Sequence, residues 1–469
     1  MKVKLVLPSL TEAKSPFWRP IKYSLFPPLG LASLASYLSA EDEIELVDQH
    51  VEKLHIDDNP DLVLIQVYIT NAKRAYRIAD HYRKRGAFVV LGGLHVTSLP
   101  NEAIQHADTV ILGPTEQSFP EFLQDFKMKK TKKFYHAKTG RTIENQPVIR
   151  RDLIKREKYL VPNSLSISRG CPHHCSFCYK DAFFKGGKSF YTQRVDEILA
   201  EIDRLPGKHL YFLDDHLLGD PKLATTLFRE MKGMNRVFQG AATVESILKG
   251  NLLELAAEAG LRSVFVGFET FSEENLRQSN KNQNLKQSYE LAVKRLHDLG
   301  IMINGSFVFG LDNDNKDVFK RTVDWGVNHS ITTATYHILT PYPGTKLYQD
   351  LEKQNRILTR DWDLYDTRHT VYESKNLSAK ELEDGYEWAY KEFYSWQNIF
   401  KSSFAHDHLT HQLKHLFYTG GWKKFEPLWN FIINTGGLKR MLPLLELLLC
   451  EVDKAKANIS DNALYKSFQ

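Results

Sequence analysis

Residues 168–180 read SRGCPHHCSFCYK and hold three of the chain's four cysteines. Cys171, Cys175 and Cys178 follow a C-x-x-x-C-x-x-C spacing in one short loop, and Cys450 lies far away. Structural zinc takes four ligands, so His173, His174 or a distant residue would have to complete such a site. A cubane iron–sulfur cluster held by three thiolates leaves one iron open to a substrate. The residues just before the loop, SLSISRG, read as a strand, with Pro172 and Ser176 shaping the path beyond it. That places the loop at a strand's C-terminal end, where ligands gather in β/α barrels.

Outward from the loop the text alternates. VDEILAEIDRL, HLYFLDD, KLATTLFREM, FQGAAT, LLELAAEAG, SVFVGFET, YELAVKRLHDLG, MINGSFVFGL, FKRTVDWGVNHS and TATYHILTPYPG form repeated helix and strand signals. They suit a full or partial (β/α) barrel over 164–377. Residues 1–126 carry a second alternation, from VKLVLP through FVVLGG to TVILGP, and imply a parallel sheet covered on both faces. Residues 127–163 are lysine-rich and read as a linker. From Ser378 to the end, 378–469, aromatic-rich helical spacing predicts a helical C-terminal region. The fold class is therefore α/β with helices at the C-terminus.

Length and composition agree with several folded domains: 469 residues, 42% hydrophobic and 25% charged. A net charge of +5, from 62 basic and 57 acidic residues, gives no argument for nucleic acid. Clustered rather than dispersed cysteines point to a reducing compartment. No stretch approaches the ~20 apolar residues that span a bilayer; MLPLLELLLC (residues 441–450) is shorter and contains Glu446. A cytoplasmic protein is expected.

The cysteine spacing, with Phe177 just before its last thiol and a strand before the loop, resembles the signature of radical S-adenosylmethionine (radical SAM) enzymes. The resemblance implies a [4Fe-4S] cluster whose open iron is chelated by S-adenosylmethionine, and cleavage of the sulfonium to a 5′-deoxyadenosyl radical. It implies further contacts to S-adenosylmethionine at Phe177, Asp214 and Asp215 in YFLDD, Glu269 in FVGFET, Gly305 and Gly310 in GSFVFGLDND, and Arg194 in YTQRVDEI. The plain readings remain beside these: loop caps for the two aspartates, a helix-entry salt bridge for Arg194. A lone buried carboxylate at Glu269 would be costly without a ligand. TPYPGT (residues 340–345) is another element recurrent in the family.

The front alternation resembles the Rossmann-like cobalamin-binding domain fused to one branch of that family. Gly92, Gly93 and Gly113 suit backbone approach to the cofactor tail, His95 and Thr97 are candidate polar contacts, and Glu116 holds the place of a family acidic residue. Classical cobalamin methyltransferases carry D-x-H-x-x-G after their first strand. PSLTEAKSPFWRP follows it here and has no histidine, while Asp48 and His50 follow the second strand and lack the glycine. Cobalamin without a histidine beneath it is implied. NRILTRDWDLYDTRHTVYE, with Trp362 and Tyr365, also recurs downstream of such barrels, and packing is its plain role.

Together these imply a cobalamin-dependent radical SAM methyltransferase acting on a small-molecule, lipid or peptide substrate, with an electron donor such as flavodoxin or ferredoxin and no nucleic acid. The alternatives are a cyclase or rearrangement enzyme using the same cofactors and, from another class, a non-catalytic cobalamin or S-adenosylmethionine sensor. Methylthiolation of tRNA is disfavoured because no cysteine precedes Cys171. The aromatic C-terminal helices also allow peripheral contact with a membrane.

Overall fold

The computed structural model describes residues 1–11, 26–137 and 139–424. The run 441–450, with Cys450, lies outside the described residues. Short apolar, β-branched runs build the first sheet: β1 (Lys2–Leu7), β2 (Glu43–Asp48), β3 (Leu62–Gln66), β4 (Phe88–Gly92), β5 (Thr109–Leu112) and β6 (Phe134–His136). All pairings are parallel, in the order β2-β1-β3-β4-β5-β6. Such a sheet must be covered on both faces. Helix Ala72–Lys84 covers one face by burying Ala75, Ile78, Ala79 and Tyr82 at helical spacing, and helix Ser118–Lys127 covers the other with Phe119 and Phe122. β6 falls within the stretch read as a linker, so the front sheet extends beyond residue 126.

The second sheet contains β7 (Ser164–Leu165), β10 (His209–Phe212), β11 (Val237–Ala242), β12 (Leu261–Glu269), β13 (Met302–Phe309) and β14 (Thr333–Ile338). Its order, β14-β13-β12-β11-β10-β7, is sequential and parallel throughout. That is a six-stranded partial barrel, with β7 and β14 as unjoined edges. Between β7 and β10 a small antiparallel pair, β8 (Ser168–Gly170) with β9 (Phe190–Thr192), frames the cysteine loop.

Local chemistry starts the barrel helices where the strands release them. Asp220 caps helix Pro221–Met231 by accepting from the backbone N–H groups of Lys222 and Leu223, with Pro221 in the first turn. Past the barrel, Ser378 and Glu381 form a reciprocal capping box at helix Ala379–Phe393. Helices Trp396–Phe404 and Leu409–Leu416 follow. Tyr390 and Tyr394 donate hydroxyls to the backbone carbonyls of Tyr336 and Ala334 on β14, and so fasten this helical region to the barrel edge.

Candidate active site at the domain junction

The loop from Cys171 to Cys178 emerges from β8 and ends at the short helix Lys180–Phe183. Cys175 is buried, Cys171 and Cys178 are half-buried, and none is in a disulfide. Burial pushes the Cys171 thiol above its ordinary range and Cys178 up to about 12. These sulfurs become thiolates when a positively charged metal centre replaces their protons. Among the described residues no three His, Cys, Asp or Glu side chains gather as a single metal ion requires. In a cubane each thiolate binds its own iron, so this donor set fits a cluster better than zinc.

Asp214, just after β10, turns inward. Its carboxylate accepts from the backbone N–H of Ile167 (3.1 Å) and Ser168 (2.6 Å), and burial raises its pKa to about 6. It braces the stem of the cysteine loop rather than opening to the cleft. Asp215 is exposed to the cleft and accepts from the Tyr179 hydroxyl at 2.9 Å. Glu269 closes β12 with a left-handed φ of 64° beside a register shift. The expectation that it lacks a protein partner fails: the Lys281 ammonium lies 2.7 Å away. Burial alone would lower the Lys281 pKa, but the charge and hydrogen bond of Glu269 together with the nearby Cys175 and Cys178 outweigh it and the pKa is raised.

The other expected contacts divide. Phe177, within the loop itself, packs at the ends of β13 and β14 against the cluster of Val308, Leu311, Leu339 and Tyr372. Gly310 follows β13, but the space beside it is taken: an added Cβ would lie 2.5 Å from the Tyr372 hydroxyl, which donates to the Gly310 carbonyl. Gly305 packs in the core, where a Cβ would meet Phe307 at 3.0 Å and Ile331 at 3.2 Å. Arg194 is exposed at the entry of helix Val195–Arg204 and pairs with Asp196 and Glu197 at 3.0 and 3.3 Å. The helix-entry reading describes its geometry.

Sequence reading passed over three neighbours. His216 is buried against the His173 ring, its pKa brought down to about 3 by burial, and its Nδ1 has no hydrogen-bond partner among the described residues. Lys180 is wholly buried; its Nζ lacks hydrogen-bond geometry to any described group, although the Asp181 carboxylate is 2.9 Å away. Gln283 approaches the Cys175 sulfur. Orphaned buried polar atoms beside the loop suit a ligand with amino and carboxylate groups. The adjacency of Lys180 to the last loop cysteine pair was the available signal; Gln283 offered none.

On the other side of the loop, a cavity of about 520 Å³ lies between the C-terminal edge of the front sheet and the barrel. Leu64, Val90, Ile111 and Phe119 give it apolar walls, and Gly92, Gly93, Gly113 and Glu116 rim it. At Gly93 (φ 119°) a Cβ would sit 2.6 Å from the Val67 carbonyl oxygen, and at Gly113 (φ 67°) it would sit 2.9 Å from that of Phe183, so both turns need glycine. The Glu116 carboxylate takes a 2.7 Å bond from Arg169 of β8, two residues before Cys171. Its second oxygen is buried with no hydrogen-bond partner among the described residues. An apolar slot rimmed by backbone and one free acceptor fits the flat heteroaromatic tail and amide donors of cobalamin.

His95 and Thr97 do not line this cavity. His95 bonds Glu102 at 3.0 Å, and the same carboxylate accepts from Tyr76 and from Trp362 at 3.1 Å, joining the front domain to the segment after the barrel. Thr97 donates to the Gly93 carbonyl (2.7 Å) and accepts from Gly113 N–H (2.9 Å), bracing both glycine turns. His50 has both ring nitrogens engaged, with Asp48 at 2.7 Å and the Leu10 N–H at 3.1 Å. The lone pair on its Nε2 is already taken up by the Leu10 N–H.

Family models match in the same order: the B12 binding domain over 23–123 and the radical SAM superfamily over 165–326. The chain is similar to bacteriochlorophyllide d C-12(1)-methyltransferase of Chlorobaculum tepidum, 30% identical over 388 residues, covering 80% of this chain and 84% of that one. It is also similar to bacteriochlorophyllide d C-8(2)-methyltransferase of the same organism, 28% identical over 79% of this chain and 86% of the other. Among solved structures, the cobalamin-dependent S-adenosylmethionine radical enzyme OxsB with aqua-cobalamin bound superposes with a TM-score of 0.66 at 16% identity, over 97% of this chain and 81% of that one. The cysteine loop, the cavity behind it and these relatives agree, and the chain belongs to the cobalamin-binding radical SAM methyltransferase family.

Proposed function

We propose that this methyltransferase adds a methyl group to an unactivated carbon borne on a large, apolar ring system, with electrons from a low-potential donor such as flavodoxin or ferredoxin. Bound together, the cluster and S-adenosylmethionine supply a carbon-centred radical, and cobalamin supplies the methyl group. The observation that carries this reading is the Glu116–Arg169 pair, which joins the rim of the slot suited to the cobalamin tail and the stem of the cysteine loop in one ion pair. Two reactive centres that must meet one substrate need such fixed spacing. Asp214 holds the stem, Cys171, Cys175 and Cys178 would hold three irons of the cluster, and the apolar slot walls would keep water from the cobalamin tail. The ring-substrate class is supported by the two relatives that act on bacteriochlorophyllide.

A lipid surface is the proposed setting. Of twelve exposed large apolar side chains among the described residues, seven fall between Trp388 and Phe417, so the exposure is concentrated rather than scattered. Phe400 and Phe404 repeat at four-residue spacing on one helix, as Leu409 and Leu413 do on the next. Lys401, exposed on the same helix as Phe400 and Phe404, supplies a cation that complements anionic headgroups. No described helix is long and apolar enough to cross a membrane.

The test is anaerobic turnover of the full chain, loaded with cluster and cobalamin, with bacteriochlorophyllide as the first substrate tried. Methylation requires 5′-deoxyadenosine and S-adenosylhomocysteine in near-equal amounts and a product heavier by one methylene. Deoxyadenosine without the homocysteine product would replace methyl transfer by cyclase-like chemistry. Both products from another substrate, but none from the macrocycle, would remove the ring-substrate class alone.

A further inference from the structure

Residues 279–284 pack directly on the cysteine loop. The Ser279 carbonyl accepts from Ser176 N–H at 3.0 Å, Asn280 Nδ2 donates to the His174 carbonyl at 2.5 Å, and Gln283 Nε2 lies 3.4 Å from Cys175 Sγ. These contacts bracket the middle cysteine from both sides. Gln283 is buried, in the 3₁₀ turn Asn282–Asn284, and that turn is itself pinned. Asn284 Nδ2 donates to the carbonyls of Gly267 (2.9 Å) and Phe268 (3.1 Å), and Lys281 pairs with Glu269 at 2.7 Å. The amide therefore has little freedom to turn away. A ligating thiolate carries no proton, so the NH₂ end of Gln283 is the end that can face it favourably.

We propose that Gln283 is a positioning residue for the cluster, holding Cys175 by an N–H···S hydrogen bond and raising the cluster's reduction potential. A donor to sulfur favours the more negative, reduced cluster over the oxidised one. In the affected step one electron passes from the low-potential donor to the cluster; the donor is oxidised, the cluster is reduced, and no bond breaks. The inference rests on the three-cysteine cluster, which iron analysis tests separately: wild type holding no four-iron cluster would end both, whereas a loaded cluster whose potential ignores Gln283 would end this refinement alone.

The test is a redox titration of the reconstituted full chain, followed by electron spin resonance without S-adenosylmethionine, on wild type, Gln283→Met and Gln283→His. Methionine keeps the reach and removes the donor; histidine keeps a donor. At the potential where wild type is half reduced, the reduced-to-oxidised ratio of Gln283→Met should fall by up to about tenfold, which is about 59 mV for one electron. Gln283→His should recover part of that loss. A fully loaded Gln283→Met with the wild-type midpoint would make the glutamine mere packing. If Gln283→Met fails to load iron, pulsed spin resonance on wild type with ¹⁵N-glutamine decides: a nitrogen coupling to the reduced cluster upholds the bond, and its absence overturns it.

Discussion

A single added carbon separates two kinds of glycine at the cobalamin slot. At Gly113 the left-handed backbone and the Phe183 carbonyl, 2.9 Å from an added Cβ, both oppose a side chain. Gly113→Ala should lower stability by about 1–3 kcal/mol, read as a fall in the thermal midpoint, and should loosen cobalamin with it. Gly92 differs, since its Cβ would meet only the Ile111 carbonyl, at 3.9 Å. Gly92→Ala should keep the thermal midpoint and still retain less cobalamin, measured by absorbance of the purified protein. Equal loss of stability in both would mean that strain, not slot volume, governs these positions. For the cluster, alanine at Cys171, Cys175 or Cys178 should abolish deoxyadenosine formation, because Cys450 is distant in sequence and cannot replace a loop ligand.

The helix Leu409–Leu416 is docked through histidines. His415 is buried, its Nδ1 faces His406 Nε2 at 3.0 Å, and the His406 ring lies 4.8 Å from that of His297. Burial holds His297 and His406 down at about 4 and His415 at about 3, with Lys414 and Asp407 the nearest charges in sequence. A depressed folded-state pKa means the unfolded chain binds more protons between about pH 6.5 and 4, so stability is present above that window and is lost as pH falls through it. Urea midpoints measured from pH 7.5 to 5 should decline, and His415→Asn should flatten the slope by roughly one proton. An unchanged slope would show that this histidine does not govern the loss. At this same scale, β6 escaped sequence reading for a physical reason. Phe134–His136 is three residues in a lysine-rich stretch, and its pairing with β5 makes it a strand.

The two domains are joined at opposite ends of the chain's path. Glu116–Arg169 joins them at the cavity, and the Glu102 carboxylate, shared by His95, Tyr76 and Trp362, joins the front domain to the segment after the barrel. Thr11 and Lys73 add contacts to Asp363 at 2.9 and 3.3 Å. Trp362→Phe should leave iron content unchanged while speeding proteolysis in the connector around residues 127–163, since it removes one interdomain hydrogen bond and keeps most of the packing. The proposed contact with lipid belongs to the same assembled molecule. The full chain should float with phosphatidylglycerol vesicles and less with phosphatidylcholine, and Phe404→Glu with Leu413→Glu should reduce binding several-fold. If vesicles do not bind and those changes convert a dimer to a monomer, a second copy covers the face instead.

What the sequence alone determined is what short-range chemistry carries. Three thiols in eight residues, periodic apolar runs and cap residues such as Ser378 identify the cluster loop, the two β/α arrays and the start of the C-terminal helices, because each depends on neighbours a few residues away. Tertiary structure decided the partners. Glu269 is a lone carboxylate in the text and an ion pair in the fold, because Lys281 arrives from a turn after an intervening helix. His95 follows a glycine pair, yet points to Glu102 and Trp362. Gly305 stands on the expected strand and Gly310 just after it, but Ile331 and Tyr372 fill the space beside them. Gln283 acquires its place only when the turn folds over Cys175. Spacing along the chain determines which groups are available; the packing of distant segments determines which of them remain open to a ligand.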